Sequence, residues 1–129
     1  MKLKSLLYGM YYILGQSYVI FLSFFLFKDS KILISNFTIL FKRKGELLTI
    51  LKKGPKFWVR SLIDMAIIRQ VFGDEVYKPL FTNLKGEATF IDIGAYIGDS
   101  AVYANSFSKV KNIIAVEPVP DNIKFLRKN

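Results

Sequence analysis

The stretch that most constrains this chain runs from residue 88 to residue 129, where two short apolar runs alternate with two helix-forming segments. ATFIDIG (88 to 94) ends at a glycine and NIIAVEP (112 to 118) ends at a proline, as strands buried on both faces do. Between them Asp99 or Ser100 can start a helix through Ala104 to Phe107, and Asp121 stands near the start of a second helix in PDNIKFLRKN. This β-α-β-α order predicts an α/β fold, the beginning of a parallel sheet with right-handed crossovers.

In such sheets ligands bind beyond the carboxyl ends of the strands, where N–H groups at the next helix terminus are free. Gly94-Ala95-Tyr96-Ile97-Gly98 lies at that place, and Glu117 ends the adjacent strand. Glycine there lets a ligand approach the backbone and permits positive φ. An acid at the end of the second strand accepts hydrogen bonds from ribose hydroxyls.

The residue types narrow the ligand. A dinucleotide turn places a second glycine where this chain has Tyr96, which argues against a pyrophosphate, and no P-loop lysine follows Gly98. Asp92, two residues before Gly94, would repel phosphate and suit an ammonium or a sulfonium. A ribose, no phosphate and positive charge together describe S-adenosylmethionine (SAM).

FIDIGAYIGDSAVYA followed by IIAVEPVPDNIKFLRKN resembles the first two motifs of the FkbM family of SAM-dependent methyltransferases, D-x-G-A-N-x-G and then E-P-x-x-x-N. The resemblance covers about residues 58 to 129, including the helix and connector WVRSLIDMAIIRQVFGDEVY. It implies a Rossmann-like, doubly wound sheet and a cofactor site made of Asp92 near the methionyl end, Gly94, Ala95, Tyr96 and Gly98 in the loop, Glu117 on the ribose, Pro118 shaping the turn and Asn122 in the following helix. Tyr96 departs from the family's asparagine. Each residue alone also has a packing role open to it: the glycines could serve strand–helix contact, Asp92 a helix cap and Glu117 a solvated strand end.

The resemblance further implies about seven strands, an acid near the adenine and a K-x-D-x-E-G-like strand end near the acceptor, and these are not in the chain. The expectation is therefore the N-terminal portion of a longer methyltransferase, inactive by itself, acting on a hydroxyl of a sugar, glycan or small metabolite. The alternative is a catalytically inactive, membrane-associated binding or accessory protein. No catalytic residue can be named. Cysteine and histidine are both absent, which excludes disulfides, a Cys/His zinc site, a thiol nucleophile and an imidazole base, and no metal is expected.

Residues 1 to 57 form a different region. Residues 1 to 60 hold eleven Lys and Arg against two acids, so they carry the whole excess behind the net charge of +9. From Ser5 to Phe27 the chain has no charge, and this apolar N-terminal helix is long enough to span a bilayer, although Gly15-Gln16-Ser17 interrupts it. It reads as an anchor, or as a helix packed on the domain. Lysines after it would hold the C-terminal part in the cytoplasm. Lysines interleaved with an apolar run suit a membrane face better than a nucleic acid. Residues 32 to 41 read as strand, 45 to 54 as a short helix ended by Gly54-Pro55, and 60 to 73 as a helix capped by Ser61 and Asp64 with Gly73 at its end. A connector with one more helical turn is expected between Gly73 and Gly86.

Overall fold

The computed structural model describes residues 17, 18, 21, 26–28 and 45–129. The strand expected over 32–41 lies outside them, as does most of the apolar stretch 5–27. Among the described residues no helix is long and apolar enough to cross a membrane.

Two two-stranded sheets and a set of short helices make a mixed α/β arrangement. The first sheet is a hairpin of β1 (Leu47–Ile50) and β2 (Lys56–Val59), antiparallel, with Leu47 opposite Val59 and Ile50 opposite Lys56. This corrects the helix expected over 45–54. LLTI is too short for its period to separate helix from strand, and KFWV beyond the Gly54-Pro55 turn supplies a β-rich partner. The turn is closed by the Leu51 N–H donating to the Pro55 carbonyl at 3.1 Å, so Gly54-Pro55 reverses the chain instead of ending a helix. Residues 26–28 lie along the other edge of β1: Phe27 bridges Leu51, Lys28 N–H donates to Ile50 O and Lys52 N–H to Leu26 O.

Helix α1 (Leu62–Ile68) starts as the sequence predicts. Ser61 is extended, its Oγ accepts from the Asp64 N–H at 3.2 Å, and the Asp64 carboxylate accepts from the Ser61 N–H at 3.1 Å. This reciprocal capping box satisfies two N–H groups that the first turn leaves without helical partners. The helix then widens into a π-helical turn (Arg69–Gly73), which closes with the Asp74 N–H donating to Arg69 O. The extra turn of helix expected in the connector is α2 (Lys78–Thr82).

The second sheet pairs β3 (Ala88–Ile93) and β4 (Val110–Val116) in parallel, with α3 (Asp99–Ala104) between them and α4 (Pro120–Leu126) after β4. Phe90 lies beside Ile113 and Asp92 beside Ala115, and that face packs against α2 and α3. The other face was expected to be buried and is not: Ile91, Ile93, Ile114 and Val116 are exposed, Ile93 to 83%. Continuous apolar runs signal two covered faces only where helices lie on both sides, and among the described residues α3 covers one.

Two hydrophobic clusters hold these parts together. The larger joins Phe27 and Leu51 of the hairpin side with Phe57, Val59, Leu62, Met65 and Ile68, and reaches Ile97 of the glycine loop and Phe125 of α4. The smaller packs Val71, Phe81, Tyr103 and Ala104, with Phe81 stacked on Phe107 and edge-on to Phe90. Asn129 adds a polar tie. Its Oδ1 accepts from the Trp58 N–H at 2.7 Å, its Nδ2 donates to Ile97 O at 2.9 Å, and Lys128 Nζ lies 5.3 Å from the centre of the Trp58 ring.

Candidate functional site

The loop Gly94–Gly98 leaves β3 at the carboxyl end of the sheet, level with Glu117, because Ile93 pairs with Val116. Three of its residues have left-handed backbones: Gly94 at φ +86°, Tyr96 at +49° and Gly98 at +88°. The two glycines differ in what surrounds them. A Cβ on Gly94 would meet no atom of the described residues within 4 Å, whereas one on Gly98 would stand 2.8 Å from Leu126 Cδ1. Gly98 thus allows α4 to pack on the loop, and Gly94 faces open space at the strand end.

The loop N–H groups are engaged within the protein, contrary to the expectation that they are free. Gly94 and Ala95 both donate to Val116 O, Gly98 donates to Ala95 O, and Tyr96 donates to Glu117 Oε2 at 2.9 Å. Four loop donors with protein acceptors leave little for a phosphate, whose binding at such turns depends on free N–H groups. What faces the ligand side is acceptor-rich. Asp92 takes the Ser100 hydroxyl, and Glu117 Oε1 accepts from the Val119 N–H at 2.9 Å and from Asn122 Nδ2 at 3.0 Å.

Neighbouring carboxylates set the electrostatics around the loop. Burial, with like charge from Asp92 and Asp64 behind it, pushes the Asp99 carboxyl up to about 6, although its own N–H and that of Ser100 donate to it. Glu117 is held below its ordinary range, first by the Val119 N–H and then by Asn122 and Tyr96, with Arg60 also contributing. Burial and the bond to Asp64 raise the Tyr96 phenol, which therefore stays protonated and acts as a donor.

Of the residues singled out in the sequence, Gly94, Ala95, Tyr96, Asp92, Glu117 and Asn122 come together around the strand ends, and Pro118 leads into α4. Gly98 lies behind them under Leu126. Three participants escaped sequence reasoning. The sequence marks Ser100 only as a helix start and Asp64 only as a cap, and it assigns Arg60 no role. Arg60 Nη2 donates to Asn122 Oδ1, its Nε lies 3.8 Å from Asp64 Oδ2, and its guanidinium sits over the Phe125 ring at 4.9 Å and the Tyr96 ring at 5.6 Å. The i, i+4 spacing of Arg60 and Asp64 was a visible signal for that pair alone. Among the described residues no group of acidic side chains is placed to hold a metal ion.

Comparison with protein-family models, with curated proteins and with solved structures finds no match to this chain.

Proposed function

We propose that residues 88 to 122 bind S-adenosylmethionine and that the chain carries the donor side of an FkbM-like methyl transfer to a hydroxyl of a sugar, glycan or small metabolite. In this reading β3–α3–β4–α4 is one part of a Rossmann-like, doubly wound sheet. The observation that carries the reading is Gly94, which follows β3 with no atom of the described residues within 4 Å of an added Cβ, two residues after Asp92 and level with Glu117 just past β4. Such an arrangement suits a ligand with hydroxyls and positive charge. Loop N–H groups already bonded to protein acceptors argue against a phosphate.

Glu117 accepts from a ribose hydroxyl, with its charge retained by the N–H donors around it. Asp92 lies towards the methionyl end, where a carboxylate favours an ammonium or sulfonium. Gly94 lets the cofactor approach the main chain. SAM bound there would supply an electrophilic methyl group, which would leave its sulfur, as the thioether departs, for an acceptor hydroxyl that gives up its proton. The residues here hold and orient that donor.

Calorimetric titration of the whole chain with SAM tests the reading, with Glu117→Ala and an ADP titration as controls. Saturable SAM binding that Glu117→Ala weakens by at least about tenfold, with no ADP binding, is expected. No SAM binding, or equal binding by Glu117→Ala, refutes it.

A further inference from the structure

Five residues, through their side chains and two main-chain N–H groups, close a ring around the loop. Glu117 Oε2 accepts from the Tyr96 N–H, the Tyr96 hydroxyl donates to Asp64 Oδ1 at 2.5 Å, and Asp64 Oδ2 accepts from the Arg60 N–H at 2.7 Å. Arg60 Nη2 donates to Asn122 Oδ1, and Asn122 Nδ2 returns to Glu117 Oε1. Asp64 is fully buried and Asn122 nearly so. The members come from three distant places: the β2–α1 corner, the glycine loop and the β4–α4 turn.

An unusual backbone sits within this ring. Tyr96 has φ +49°, a left-handed conformation that a bulky aromatic residue rarely adopts and that persists only when its surroundings fix it. Both ends of the residue are fixed, the N–H by Glu117 and the hydroxyl by Asp64. We infer that Arg60, Asp64 and Asn122 are positioning residues that act through Tyr96, forming a latch from outside the glycine motif that sets the loop and the Glu117 carboxylate in their ligand-binding arrangement. The inference rests on the SAM reading for the ligand, but the latch itself is a property of the free protein.

The latch also fixes the Asn122 amide, since its oxygen faces a guanidinium and its nitrogen a carboxylate. Arg60 occupies a special place because its flat cation also covers the Phe125 and Tyr96 rings, contacts that a lysine cannot reproduce in the same geometry. Loss of one bond in the ring leaves the rest without closure.

The test uses Tyr96→Phe, which removes one oxygen, together with Arg60→Lys. Amide hydrogen exchange over residues 94–98 is read in the free proteins, and SAM affinity by calorimetry. Tyr96→Phe and Arg60→Lys are expected to speed loop exchange by about tenfold and weaken SAM by about tenfold, the worth of one hydrogen bond to a charged partner. Unchanged loop exchange in Tyr96→Phe overturns the latch. Faster exchange with undiminished SAM affinity overturns the positioning role. If the parent chain binds no SAM and Tyr96→Phe still loosens the loop, the SAM reading falls and the latch stands.

Discussion

Replacing each loop glycine by alanine separates packing from binding at the turn. At Gly94 the added methyl meets no atom within 4 Å, so the only structural cost is holding an L-residue at φ +86°, about 1–2 kcal/mol. At Gly98 the same backbone cost applies at φ +88°, and the Cβ would stand 2.8 Å from Leu126 Cδ1. Moving Leu126 off its rotamer adds about 0.5–1.5 kcal/mol, for a total of about 1.5–3.5 kcal/mol. Ligand binding should follow the opposite order. The Gly94→Ala methyl enters the space proposed for the cofactor and lowers SAM affinity by at least about tenfold, or about 1.4 kcal/mol. The Gly98→Ala methyl points beneath α4 and leaves the affinity of the folded protein within about threefold, or about 0.7 kcal/mol. Urea unfolding gives the stabilities and calorimetry the affinities. Equal destabilisation by the two variants, with SAM affinity intact in Gly94→Ala, would refute the assignment of Gly94 to ligand and Gly98 to packing.

Further predictions come from single side chains. Asp99 has a folded pKa of about 6, above its ordinary 3.8, so stability falls as pH rises between these values and the full penalty is present above about 6. Asp99→Asn should therefore stabilise the chain by on the order of 2–3 kcal/mol more at about pH 7.5 than at about pH 4, measured by urea unfolding; a pH-independent effect would disprove this. Asn122→Asp puts a second carboxylate where Nδ2 now donates to Glu117, and should cost about 1–3 kcal/mol at neutral pH and less in acid. Thr49 is fully buried and its hydroxyl finds no partner among the described residues, so Thr49→Val should leave stability unchanged or raise it by up to about 1 kcal/mol, read as the urea midpoint. Ser61→Ala removes one half of the capping box and should cost about 1 kcal/mol in the same assay.

The parts legible in the sequence are those specified locally. Gly94 and Gly98 mark a turn, Ile91, Ile93, Ile113 and Ile114 mark strands, and Ser61 with Asp64 marks a helix start, each within a few residues of what it specifies. The hairpin was misread because LLTI takes its conformation from KFWV, and a four-residue apolar run has no period of its own. The burial of β3 and β4 was overread for a related reason: an apolar run reports what a strand could bury, not how many helices lie on it. The ring was invisible because Arg60 and Asn122 are 62 residues apart and Tyr96 and Glu117 are 21 apart, so no window holds the set.

The tie between Asn129 and Trp58 has a practical consequence for spectroscopy. Trp58 is the only tryptophan, and it stands where β2 meets α4, with Lys128 near its ring and Asn129 bonded to its main chain. Its emission therefore reports whether the parallel α/β unit has docked on the hairpin, with no label needed. Tyrosine absorbance near the alkaline end of a titration follows the phenols that are shifted upward, Tyr96 by burial and by Asp64 and Tyr103 of α3 by burial, and the difference on Tyr96→Phe assigns the loop's share. One aromatic residue thus follows assembly of the chain, and another follows the state of its loop.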